Sequence, residues 1–198
     1  MSLISSTISA QLVRAYKAPD RHYHNLRHIE ALLGLARQHA DALSDSEAVE
    51  AAIWFHDAVY DTRRNDNESK SAELATEQLG GATVDDRIGF IATMIRATAD
   101  HRLPDFATAV AARDCALFLD MDLSILGSTP DDFSAYEAAV RREYAWVPEP
   151  LWVEGRRKVL ESFLARPVIY ASPQFQASHE AIARSNLARS LAILAQQP

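Results

Sequence analysis

The doublet His56-Asp57 closes an apolar run, Ala51-Ala52-Ile53-Trp54-Phe55, and imidazole beside carboxylate is a good ligand pair for a divalent metal. Adjacent helical residues project about 100° apart, so the two can reach one ion only if the helix ends there. A polar C-terminal turn, with a histidine at the negative end of the helix dipole, is the other reading of the doublet taken alone. Leu119-Asp120-Met121-Asp122-Leu123 is the second unusual stretch. Its two carboxylates interrupt a run that should be core and point to different faces of a helix. At least one must therefore lie near the interior, where a metal or a cationic partner has to compensate it. A buried aspartate that caps a neighbouring helix or pairs with an arginine would explain the stretch without a metal.

His28, His56, Asp57 and Asp122 together offer nitrogen and oxygen ligands from three separate helices. Such a set suits a divalent ion (Mn, Mg, Fe, Ni, Co or Zn), with water in the remaining positions. Carboxylates in the set, and no cysteine ligand, argue against a closed structural zinc site. An open coordination position implies hydrolytic chemistry through metal-activated water.

The elements that must position these groups are helices. A first helix is predicted from Ser5 to Lys17, with Ile8, Leu12 and Tyr16 on one stripe. Arg21-His22-Tyr23-His24-Asn25-Leu26-Arg27-His28 follows, with Asn25 as N-cap of a helix that turns Ile29, Leu32, Leu33 and Ala36 inward. His28 then falls in the first turn and His24 just outside it. Ser44 or Ser46 starts the helix that reaches the doublet. Asn65 or Asp66 caps a helix over 67–79, closed by Gly80-Gly81, and Thr83 caps the one carrying Ile88, Ile91, Met94 and Ile95. Pro104 separates it from a helix through 116–126. Thr129-Pro130-Asp131-Asp132 is a strong helix start, and further helices are predicted from Trp152 and from Ser172-Pro173.

The chain has 198 residues, 48% of them apolar and 24% charged, the balance of an ordinary soluble globular protein. Few glycines, little strand-like alternation, and much alanine, leucine, glutamate and arginine predict an all-α fold, a single-domain helical bundle over 1–198. A net charge of −7 and a pI near 5.5 argue against general nucleic-acid binding. No apolar run reaches the roughly 20 residues of a membrane span, and the N-terminus lacks the pattern of a signal peptide. Cys115, the only cysteine, leaves no intramolecular disulfide. A cytoplasmic location is expected.

The pattern His28 … His56-Asp57 … Asp122 resembles the HD-domain superfamily of metal-dependent phosphohydrolases. The wider context resembles a compact bacterial branch of it: Tyr23-His24-Asn25-Leu26-Arg27-His28, Phe55-His56-Asp57 with Val59-Tyr60, Asn67-Glu68-Ser69-Lys70-Ser71, Thr98 with His101, Arg141-Arg142-Glu143-Tyr144 and Gly155-Arg156. The similarity runs over roughly residues 10 to 170 and leaves the C-terminal helix outside. The resemblance implies an HD-type helical bundle with His28, His56, Asp57 and Asp122 as the metal ligands. It favours Asp122 over Asp120, which would then orient a ligand from behind. It also implies hydrolysis of a phosphate ester, the substrate being a small phosphorylated metabolite or nucleotide. Asp57 would ligate the metal and help position the water, and His24, Glu68 or His101 would give a proton to the leaving group. Arg156, Arg141 and Asn25 are the expected substrate contacts, guanidinium being suited to phosphate oxygens. The alternative is a nucleotide- or metal-binding regulatory module that keeps the HD fold without turnover.

Overall fold

In the computed structural model, which describes residues 3–196, the fold is all-α: the described residues form helices, two short 3₁₀ segments and one isolated bridge between Gly80 and Thr83. The chain divides into two compact units, residues 1–122 and 123–198.

The first unit is built around α3 (Ser46–Phe55). Ala48, Val49, Ala51, Ala52, Ile53 and Phe55 are all fully buried, so α3 is apolar nearly all round, as a helix enclosed by others must be. Its alanines let α1 (Ser6–Tyr16), α2 (Leu26–Gln38), α4 (Asn67–Leu79), α5 (Asp85–Ala97) and α6 (Ala109–Asp122) all pack against it. The caps follow local chemistry. Ser5 accepts a hydrogen bond from the Ile8 amide, and Asn25 accepts one from the Arg27 amide at 2.9 Å.

α3 starts at Ser46, one of the two serines predicted, and Asp45 caps it: its carboxylate accepts from the Ala48 amide at 3.0 Å and pairs with Arg87. Two predicted boundaries move. Val84, rather than Thr83, precedes α5, because a helix that begins at Asp85 leaves Thr83 too far upstream for its hydroxyl to reach the first-turn amides. α6 begins at Ala109 instead of Ala116, its first turn tied by Thr108, which accepts from the Ala111 amide. Buried Asp114 on α6 accepts from the Ser44 and Asp45 amides at 3.0 and 2.8 Å, fixing the approach to α3 from another helix.

The second unit opens with a 3₁₀ segment (Leu123–Gly127) and holds α7 (Pro130–Glu143), α8 (Glu149–Leu164) and α9 (Pro173–Leu194). Thr129 caps α7 and Ser172 caps α9, as the sequence predicts, whereas α8 starts at Glu149 with Pro150 in its first turn, ahead of Trp152. Phe133, Leu160, Tyr170, Phe175 and Leu187 form its core. Buried Asn186 on α9 donates to the carbonyls of Leu126 and Ser128 at 2.8 and 3.0 Å, satisfying the end of the 3₁₀ segment. Gly127 lies under His179, where an added Cβ would stand 2.6 Å from the histidine Cβ, so only glycine fits without a shift. The solvent face of α9 includes Ile182, which is 44% exposed.

Candidate metal centre

α3 ends at Phe55, and His56 is its C-cap residue. The doublet therefore sits where the chain leaves the helix, and both side chains can turn to one point. His28, in the first turn of α2, and Asp122, the last residue of α6, meet them there. His28 Nε2 lies 3.2 Å from His56 Nε2 and 3.1 Å from Asp122 Oδ1. His56 Nε2 lies 3.5 Å from that same oxygen and 3.1 Å from Asp57 Oδ2. His28 Nε2 lies 3.9 Å from Asp57 Oδ2.

These distances suit a shared cation. Metal–ligand bonds of about 2.0–2.2 Å with angles between right and tetrahedral put neighbouring donors roughly 3–3.6 Å apart. The distances among His28, His56 and Asp122 fall within that span, as does His56 to Asp57, and His28 to Asp57 exceeds it slightly. The orientation of His56 agrees: its Nδ1–H donates to the Ile53 carbonyl at 2.9 Å, which leaves Nε2 as the nitrogen that a cation, in place of a proton, would occupy. His28, His56 and Asp122 form the tight His-His-Asp group, with Asp57 against its edge.

The electrostatics call for positive charge at this point. Burial works to lower the pKa of His56, yet the charges of Asp57 and Asp122 outweigh it and hold the imidazole well above its ordinary value. Burial likewise opposes ionisation of Asp57, but His56 and then His24 keep that carboxylate below the usual range. Asp122 is held well below it against burial, by His56 and by hydrogen bonds from His101, His28 and His56. A divalent cation would meet the same demand as the proton on His56 and serve both carboxylates at once.

The surrounding residues fix the ligands. His101 Nε2 lies 2.8 Å from Asp122 Oδ2, holding the oxygen that faces away from the histidine pair. Its backbone φ is +50°, uncommon for a residue with a side chain. His24 stacks on Tyr60 with ring centroids 4.4 Å apart and meets the ring of Tyr23 edge-on. Arg21, which sequence reasoning passed over, donates to the carbonyls of His24, Asp57 and Ala58 at 3.1, 2.6 and 3.0 Å, and its guanidinium lies against the rings of Tyr16 and Tyr60. It thereby ties the approach to α2 to the segment that leaves α3. The only signal for it in the sequence was its place one residue before the His22-Tyr23-His24 cluster.

The Asn67–Ser71 motif has a physical basis here. Asn67 accepts from the Asp61 amide and donates to the Asp61 carbonyl, at 3.1 and 3.0 Å. Buried Ser71 accepts from the Val59 amide at 3.1 Å and returns a hydrogen bond to the Val59 carbonyl. Both clamp the loop after the doublet onto α4. Glu68, in the first turn of α4, is half-buried, and among the described residues no hydrogen bond joins it to the donor set.

Of the paired aspartates, Asp122 stands with the histidines, while fully buried Asp120 lies close enough to Cys115 to help burial push that thiol up to about 12. Asn25 spends its side chain on the α2 amide and on the carbonyl of His22 at 2.8 Å. Arg141 and Arg156 belong to the second unit. Arg141 donates to Glu149 and to the carbonyls of Tyr144 and Val147, and Arg156 to Tyr136 and Glu137.

The chain is thus an all-α protein with a buried His-His-Asp group that could hold a metal ion. No helix is long and apolar enough to cross a membrane among the described residues. Searches with protein-family models, among curated proteins and among solved structures found no match.

Proposed function

We propose that this protein is a metal-dependent phosphohydrolase of the HD type, acting in the cytoplasm on the phosphate ester of a small metabolite or nucleotide. The observation that carries the reading is the convergence of His28 Nε2, His56 Nε2 and Asp122 Oδ1 at one buried point, with Asp57 Oδ2 3.1 Å from His56 Nε2 at its edge. His28, His56 and Asp122 would hold the ion, with Asp57 as the fourth donor. A divalent cation there supplies Lewis acidity toward water and phosphoryl oxygen. Asp57 is the carboxylate placed to orient the attacking water and take its proton. His24, close enough to Asp57 to depress its pKa, is the neighbouring group with a proton to give to a leaving oxygen. His101, through Asp122, is a positioning residue. The carboxylates require a cation before a phosphate can approach, so metal binding precedes substrate binding.

The test is elemental analysis of the purified protein, followed by phosphatase and phosphodiesterase panels with Mn²⁺, Mg²⁺, Fe²⁺, Ni²⁺, Co²⁺ and Zn²⁺ added singly. The expected result is about one equivalent of metal and phosphate release, both lost in the folded double variant His56→Ala, Asp57→Ala. Full activity in that variant sinks the assignment. Stoichiometric metal with no phosphate released from any substrate points instead to a regulatory module.

A further inference from the structure

The second unit contains a cleft of about 270 Å³ between α7, the start of α8 and the end of α9. Its volume lies just below the roughly 300–1,000 Å³ of drug-sized ligand pockets, which suits a smaller ligand. The lining combines an apolar wall, Phe133, Trp152, Ile193 and Leu194, with charged groups.

Those charges do not balance. Arg141 and Glu149 form their own ion pair at the rim, 2.7 Å apart. Glu137 is shared: one oxygen pairs with Arg156, and the other accepts from the Ser190 hydroxyl at 2.7 Å. Arg189 gives one nitrogen to the side chain of Asn186 at 2.8 Å and meets no carboxylate among the described residues. Two guanidinium groups therefore face a single carboxylate, leaving one uncompensated positive charge in the lining.

Both arginines also keep donors unspent. The hydrogen bonds of Arg156 leave from Nη2 alone, to Tyr136 and Glu137; its Nε is buried away from solvent, so Nη1 is the donor left for a ligand. Arg156 is only 8% exposed, held in a three-helix wall. A buried cation with donors to spare, beside a second cation without a counter-ion, is a poor arrangement for stability alone. It suits a visiting anion.

We propose that this cleft binds a small organic monocarboxylate with an apolar body. Its carboxylate is held by Arg156 and Arg189, and its body lies along Trp152, Ile193 and Leu194. One uncompensated charge matches one carboxylate, and the apolar wall gives the rest of the ligand a surface that free phosphate cannot use. The site is built wholly from residues of the second unit and does not rest on the proposed hydrolysis.

The experiment titrates the full-length chain with 3-phenylpropionate, its neutral amide and inorganic phosphate, by calorimetry and by the NMR shift of the Trp152 indole. Saturable binding of the acid is expected, with the amide and phosphate at least tenfold weaker. Arg189→Gln, at a half-exposed position outside the core, should weaken the acid at least tenfold and leave the amide unchanged. Ala138→Phe, which fills the cleft from an exposed position on α7, should abolish binding of both organic probes. No saturable binding overturns the proposal, as does equal binding of acid and amide, or binding of the acid that Ala138→Phe leaves intact.

Discussion

His101 shows how much of the candidate centre depends on single side chains. Its positive φ is a conformation that asparagine tolerates better than most residues, whereas only the longer imidazole reaches Asp122 Oδ2 at 2.8 Å. On the proposed reading, His101→Asn keeps the fold and weakens metal binding about tenfold to a hundredfold, the usual cost of losing a group that orients a ligand. Competition with a chelator of known affinity measures it. Asp45 gives a pH dependence with a definite sign. The hydrogen bond from Arg87 holds its carboxyl below the usual range against partial burial, with further help from the Ala48 amide. A depressed folded-state pKa contributes stability that is present above the unfolded value, near 3.9, and is lost as pH falls through the folded one. Asp45→Asn keeps the cap and removes the charge. It should cost roughly 1 kcal/mol or less at pH 6, for a pair partly open to solvent, with the gap closing below about pH 4. Urea unfolding at several pH values reads the difference, and a gap that widens in acid would contradict the assignment.

At the scale of elements, glycines separate contact from propensity. Gly127 ends the 3₁₀ segment against His179, so Gly127→Ala should destabilise by about 1–3 kcal/mol through overpacking. Gly89 and Gly155 lie inside α5 and α8 with open space where a Cβ would go. Alanine at either should stabilise by roughly 0.5–1 kcal/mol, because it lowers the entropy of the unfolded chain. Thermal melts of the single variants check both signs. Asn25→Ala should cost about 1 kcal/mol as a lost cap of α2, and because that helix carries His28 in its first turn, metal affinity should fall with it.

Over the whole molecule, burial governs chemical access. Cys115 is fully buried, and burial pushes its thiol up to about 12, helped by the charge of Asp120. A thiol reagent at neutral pH should leave it unlabelled in the native protein and label it fully in denaturant. Rapid labelling under native conditions would contradict the packing of α6. If the centre holds a metal, it binds the folded chain alone, so a chelator should lower the melting temperature by an amount that grows with the original metal excess. The double variant at His56 and Asp57 should not respond.

The sequence by itself determined the class of fold, since helical spacing, the scarcity of glycine and side-chain caps such as Ser5, Asn25, Thr129 and Ser172 act within a few residues of one another. It also marked His28, His56, Asp57 and Asp122 as metal-ligand types, because ionisable groups set in apolar helices need a partner. It placed the start of α3 at Ser46 but not what holds it: Asp45 is fixed by Arg87, and the approach to α3 by Asp114, through contacts that local spacing does not encode. The two aspartates are alike in type and both sit in the apolar run, so although the resemblance favoured Asp122, it is the packing at the end of α6 that sets Asp122 beside the histidines. The clamp of Arg21 on the Asp57 carbonyl and the shared charges of the α7–α9 cleft join residues many turns apart, so only the folded chain brings them together.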